Sequence, residues 1–120
     1  MSIGILYERA ETDEMGIKLT AKELGMDLVF VPFRKIALSI DGDHYSIQSK
    51  GKSYAKINTD IEVILNRCQS KNRRLLASNV IESLGKYSIN SSLAEYTCFS
   101  KLRTILRLWQ AGVKTPKTVY

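Results

Sequence analysis

The stretch that decides the fold is IEVILNRCQSKNRRLLASNVIESLGKYSIN, residues 61–90. Ile61 to Leu65 has the length and apolar composition of a buried strand. Leu76, Val80, Ile81 and Leu84 then fall on one face of a helix, and Gly85 stands where a helix end needs a residue free to turn. Tyr87-Ser88-Ile89-Asn90 follows as a second short strand. Strand, helix and strand in this order predict a parallel pair joined by a right-handed crossover. The pattern leaves one thing unexplained: a polar, cationic cluster, Asn66-Arg67-Cys68-Gln69-Ser70, begins directly where the first strand stops.

Working outward, the N-terminal part repeats the same grammar. Ile3-Gly4-Ile5-Leu6-Tyr7 reads as a strand. Thr12 is a candidate N-cap before the acidic pair Asp13-Glu14, and Ile17, Ala21 and Leu24 share a helical face that Gly25 ends. Leu28-Val29-Phe30-Val31 closes the unit. The two words KELGMDLVFV and ESLGKYSIN both run from helix end through glycine into strand. Two such units predict an α/β domain of three layers, Rossmann-like, with a mainly parallel sheet between helices. Residues 36–57 depart from this with alternation and the turn Asp41-Gly42-Asp43, which predicts a small β-hairpin insertion decorating the domain. Beyond the second unit, Ser91 or Ser92 can cap a short helix through Ala94-Glu95-Tyr96. Leu102, Ile105, Leu106 and Trp109 then form the stripe of a further helix ended by Gly112, with Trp109 read as core. Pro116 in Thr115-Pro116-Lys117-Thr118 suits an edge strand or linker. The expected division is therefore a domain over 1–112 and, over 113–120, the start of a connection into a longer protein.

The totals narrow the function classes. A length of 120 residues fits one domain, and 44% apolar with 25% charged residues is ordinary for a globular chain. No run approaches the roughly 18 apolar residues that span a bilayer, so no membrane partner is expected and the cytoplasm is the default location. Cys68 and Cys98 form no CxxC pair and His44 is the sole histidine, which argues against a metal site or a disulfide scaffold. Neither GxGxxG nor GxxxxGK[ST] occurs, so a self-contained dinucleotide or P-loop site is not expected. The net charge of +6 favours acidic partners. Lys71-Asn72-Arg73-Arg74 is a single short basic run without interleaved aromatics, which reads as a solvated helix face and not a nucleic-acid interface. Lys101, Arg103 and Arg107 read the same way, and Cys68, with no histidine near it in sequence, reads as an inert thiol.

Ligands of open parallel sheets bind beyond the carboxyl ends of the strands, where loops and helix starts converge. Two strand ends carry suitable chemistry here: Tyr7, Glu8 and Arg9 after the first, and Asn66, Arg67 and Ser70 after the strand at 61–65. Arg67 can fork onto a carboxylate or phosphate, and Ser70 with the following helix start can add donors. The competing reading is structural: Arg67 pairs with Glu8 or Glu14, and Ser70 is only a helix cap. The residues alone leave both open.

Taken together, ILYER with TDE, AKELG, ILNRCQS, ESLG and INSSLAEYTCFSKLRTILRLWQAGVKTPKT resemble the N-terminal, pre-ATP-grasp part of the LysX/RimK group of ATP-grasp ligases, nearest to its lysine-biosynthesis branch. The resemblance covers nearly the whole chain except 41–58. It implies a parent enzyme that uses ATP and Mg2+ to activate a carboxylate as an acyl phosphate, which an amine then attacks. The implied partners are an amino-acid substrate, α-aminoadipate or glutamate, and an acidic amino-group carrier protein; a homo-oligomeric parent stays open. Arg67, Ser70, Asn66, Tyr7 and Arg9 would hold substrate, and Lys101 would face the nucleotide. Phe99-Ser100 replaces the family's usual Gly-Asp before that lysine. The nucleotide clamp and the magnesium carboxylates belong to later domains, so this segment alone is expected to be inactive and to contribute no catalytic residue. The rival expectation is a free-standing binding module of the same fold without ligase activity.

Overall fold

The computed structural model describes residues 2–9, 12–49, 52–53 and 61–120. The elements in chain order are β1 (Ser2–Tyr7), α1 (Thr12–Glu23), β2 (Leu28–Pro32), a short 3-10 turn (Phe33–Lys35), β3 (Ile36–Asp41), β4 (His44–Ser49) and β5 (Lys52–Ser53). There follow β6 (Ile61–Arg67), α2 (Lys71–Ser83), β7 (Tyr87–Ile89), α3 (Ser92–Cys98) and α4 (Lys101–Gln110). Four strands form a parallel sheet in the order β2-β1-β6-β7, and β3, β4 and β5 form a separate antiparallel sheet. This is the expected α/β architecture with its hairpin insertion; residues 54–57 of the expected hairpin lie outside the described residues.

The repeated helix-glycine-strand word has a physical basis. Gly25 and Gly85 adopt φ of 66° and 71°, the left-handed region that a side chain disfavours. At each, the next residue's N–H reaches back to the carbonyl five positions earlier, Met26 to Ala21 at 2.8 Å and Lys86 to Ile81 at 3.2 Å. Both helices therefore end in the same reversal and feed a strand directly.

Strand alternation divides the sheet into two faces. Leu6, Val31, Ile61 and Ile64 pack with Ala77 and Ile81 of α2 in the main core, and Ile47 of β4 is buried in the same cluster. The insertion is thus structural as well as decorative: it closes the core on the α2 face. Ile3, Ile5, Val63 and Leu65 line the other face together with Ile17 and Ala21 of α1. With α1 and α2 on opposite faces, the winding of the chain reverses between β1 and β6.

Two expectations need correction. In α2 the buried positions are Ala77, Ser78 and Ile81, whereas Leu76 is largely exposed. The stripe on α4 has the right period, but α4 packs chiefly against α3, and Trp109, expected in the core, is 68% exposed. Helical periodicity identifies an apolar face without saying what covers it. The radius of gyration, 16.8 Å, accordingly exceeds the roughly 14 Å of a compact domain of this length. Residues 113–120 form neither helix nor strand. No helix among the described residues is long and apolar enough to cross a membrane.

Candidate functional site

The reversal of winding places the ends of β1 and β6 side by side, with Leu6 opposite Asn66 and Tyr7 opposite Arg67. Such a switch point is where an open α/β sheet leaves a crevice. Alternation then sends neighbouring residues to different helices. Arg67 turns toward the first turn of α1, where Nη2 pairs with Asp13 at 3.0 Å and Nε with Glu14 at 3.4 Å. Asn66 turns toward α2: its Nδ2 donates to the Arg74 carbonyl at 2.8 Å and to Ser78 Oγ at 2.9 Å, and its Oδ1 accepts the Cys68 N–H at 3.1 Å.

Glu8 follows β1 on the α2 side and is buried. Its Oε2 accepts the backbone N–H groups of Gln69 at 3.0 Å and Ser70 at 3.1 Å, and Oε1 pairs with Arg73. Burial pushes this carboxyl upward, but the Ser70 N–H, the Arg73 side chain and the Gln69 N–H together outweigh it and hold Glu8 below the usual carboxylate range. The anion position at the start of α2 is therefore filled by the chain's own carboxylate. Ser70 occupies the N-cap position with extended backbone, yet its side chain makes no capping bond.

The basic run is only partly a solvated face. Lys71 is exposed, but Arg73 pairs with Glu8, and Arg74 donates from Nε to the Cys68 carbonyl at 2.6 Å. Cys68 is fully buried, and its thiol is pushed up to about 12 by burial and then by the Glu8 charge. Tyr7 stacks edge-on against Phe30 with centroids 6.2 Å apart. Arg9 is exposed in the bend after β1, and Lys101 is the exposed first residue of α4. Neither lines the pocket described next.

Beyond the ends of β6 and β7 lies a polar pocket of about 290 Å3. Of the expected site residues, Asn66 and Arg67 line it; Glu14, Gln69, Arg74, Asn90 and Glu95 complete its polar wall. Sequence reasoning passed over Arg74, Asn90 and Glu95. The signal for Glu95 was an acidic residue just inside the helix capped by Ser91, whose Oγ accepts the Ala94 N–H at 3.2 Å. A cavity of about 330 Å3 between the sheet, α2 and the hairpin and one of about 440 Å3 between the sheet and α1 are lined almost wholly by apolar side chains and offer little to orient a polar ligand. Among the described residues, no three His, Cys, Asp or Glu side chains are grouped to hold a metal ion. The described residues do not by themselves fit a magnesium site, so no step is assigned through one.

Comparison with known proteins places this geometry in context. No family model matches the chain. It is 25% identical over 119 residues, 99% of its length, to an alpha-aminoadipate–LysW ligase LysX of Sulfurisphaera tokodaii. It is 31% identical over 77 residues, 64% of its length, to the protein of the same name in Sulfolobus acidocaldarius. The chain spans 38% and 27% of these relatives. Among solved structures, a RimK domain ATP-grasp protein of Sphaerobacter thermophilus shares the fold over 98% of this chain and 39% of its own, with a TM-score of 0.64 at 17% identity. The chain is thus similar in sequence to LysX ligases along its length and shares its fold with a RimK domain ATP-grasp protein.

Proposed function

We propose that this chain is the N-terminal, pre-ATP-grasp domain of an ATP-dependent carboxylate–amine ligase. In this reading the parent joins α-aminoadipate or glutamate to the C-terminal glutamate of an acidic amino-group carrier protein through an acyl phosphate. The observation that carries it is the similarity to two alpha-aminoadipate–LysW ligases, one of them along 99% of the chain. The polar cluster at the sheet's switch point supports it, because Asn66 and Arg67 reach a crevice large enough for an amino acid. The exposed apolar stripe of α4 supports it too, since such a face is what a further catalytic domain would cover.

ATP and Mg2+ supply the activation of the carboxylate, and in this reading they are held by parts of the parent outside these 120 residues. This chain's residues bind and orient: Arg67 steers a substrate carboxylate, Asn66 fixes the end of β6 to α2, and Ser70, Tyr7 and Arg9 border the same edge. Lys101 contacts the nucleotide from the start of α4. Residues 1–112 form the domain and 113–120 lead out of it. The net charge of +6 suits an acidic carrier, with exposed Lys71 on the side it would approach.

The test is turnover by the product of the whole reading frame that contains this sequence. With ATP, Mg2+, α-aminoadipate and a carrier ending in glutamate, the expected result is a carrier heavier by one residue on intact-mass analysis, with ADP and phosphate released. No mass increase with either α-aminoadipate or glutamate would overturn the reading.

A further inference from the structure

β3 is an open edge whose backbone and side chains match a second copy of themselves. It pairs with β4 on one side only, in the three-stranded order β3-β4-β5. The two-residue turn Gly42-Asp43 joins it to β4, so the flanking pair Asp41 and His44 exchanges both backbone hydrogen bonds. The unbroken register gives Ser39 with Ser46, and Ala37 with Gln48, the same role. Ile36, Leu38 and Ile40 therefore direct their N–H and C=O groups away from β4. The Ile36 N–H is taken by the Phe33 carbonyl. The outward N–H and C=O groups of Leu38 and Ile40 have no partner among the described residues, and Ala37 to Asp41 are all exposed.

Such edges are commonly blunted by a proline, a bulge or a charge in mid-strand. IALSI, residues 36–40, has none of these. Its charges stand only at the ends, Arg34 and Lys35 before it and Asp41 and Asp43 after it, and none of the four has an ion pair among the described residues. Antiparallel pairing of two copies about Leu38 brings the outward backbone groups together. Four hydrogen bonds form: two between the Leu38 pair, and one from each Ile40 N–H to the partner's Ile36 carbonyl. The same register sets side chains like to like. On one face Ile36 meets Ile40 and Leu38 meets itself, and Leu38 and Ile40 are 40% and 72% exposed in the single chain. On the other, Ala37 meets Ser39, and Lys35, just before the strand, stands opposite Asp41.

We propose that the chain forms a two-fold dimer through β3, joining two three-stranded sheets into one of six strands. The contact is isologous, so each favourable pair occurs twice. A strand that pairs antiparallel with β3 must carry acid where β3 carries base, and base where it carries acid. β3 reversed does this, which makes a second copy the occupant.

The experiment is sedimentation equilibrium of the full chain over a concentration series. At about 0.15 M salt, screening over about 8 Å suppresses the long-range repulsion of two chains of charge +6. The expected result is a mass that rises from one chain to two. Ile40→Pro deletes an outward N–H that β4 does not use, and should weaken the dimer at least about tenfold. Lys35→Asp and Asp41→Lys each set like charges opposite twice per dimer, and each should weaken it about fivefold or more, whereas the double swap should restore it. Within one chain the two positions stand about 20 Å apart along the strand, so rescue reports contact between chains. On the unaltered chain, amide exchange at Leu38 and Ile40 should slow as concentration rises, while Ser39 and Asp41, bonded to β4, stay protected throughout. A monomer across the whole series, a dimer untouched by Ile40→Pro, a double swap no tighter than either single change, or exchange at Leu38 and Ile40 that ignores concentration would each overturn the proposal. If Ile40→Pro does not fold, the charge swap and the exchange measurement decide it.

Discussion

Glu8 lies across the start of α2, its Oε2 accepting the backbone N–H of Ser70 at 3.1 Å although the two residues are 62 positions apart. A loop after β1 and a helix after β6 are thereby joined by a charge-assisted contact at the point where the winding of the sheet reverses. The relationship makes the strand-end cluster a structural junction as well as a candidate binding edge.

Acid should loosen this junction. The folded-state pKa of Glu8 is lowered, so its contribution to stability is present above the roughly pH 4 at which a free glutamate titrates and is lost as pH falls through the folded value. Glu8→Gln should cost about 1.5–3 kcal/mol near neutrality, the range for hydrogen bonds to a charged group. Denaturant midpoints measured down the pH scale should show the native chain converging on the variant in acid. Parallel curves for the two chains would contradict the assignment.

The two thiols should differ sharply. Cys98 is exposed, whereas Cys68 is buried with its pKa pushed up to about 12, and only a thiolate reacts quickly. A chromogenic disulfide reagent at mildly alkaline pH should modify one thiol in the native chain and two after denaturation, with mass mapping placing the first on Cys98. Equal native rates at both positions would show that the β6–α2 junction opens readily.

The one tryptophan reports on α4. Trp109 is 68% exposed in a helix that leans chiefly on α3. Its fluorescence in the isolated chain should be red-shifted and readily quenched by acrylamide. In the whole ligase of the proposed reading, it should shift blue and become protected as the apolar stripe is covered. Trp109→Ala should change the stability of the isolated chain by no more than about 0.5 kcal/mol, as for other surface substitutions. A blue, protected indole in the isolated chain would mean that α4 packs on the sheet instead.

The parts of this molecule that were legible in the sequence are those set by local chemistry. Apolar runs at 3–7, 28–31 and 61–65, and the glycines at 25 and 85, announce two parallel units because each signal is contained within a few residues. Alternation of Asn66 and Arg67 likewise fixes which helix each can reach, given β6. Partnership across the fold was not legible in the same way. Glu8 and Ser70, or Arg74 and Glu95, meet only once register and helix placement are set. The basic run read as a solvated face for this reason: side chains that look like free cations in sequence find buried carboxylates in space. Trp109 failed for the reverse reason, since an apolar stripe needs a covering surface that these residues do not provide.

Arg67 separates binding from scaffolding. It ties β6 to Asp13 and Glu14 of α1 and also lines the polar pocket, so its loss should act on both levels. Its ion pairs are partly exposed, and the stability cost of Arg67→Ala should stay near 1 kcal/mol or below. In the whole ligase of the proposed reading the functional cost should be larger: loss of a charge-assisted contact to a substrate carboxylate would correspond to about 10-fold to 150-fold in kcat/KM for the amino acid. Arg67→Lys should restore the folded-state pairing better than it restores turnover, because a point charge does not reproduce the guanidinium fork. The measurement is kcat/KM against amino-acid concentration for the three proteins, beside their melting temperatures. Full activity in Arg67→Ala would remove it from the substrate site, and a fall in melting temperature that matches the fall in turnover across both variants would reduce its role to holding β6 against α1.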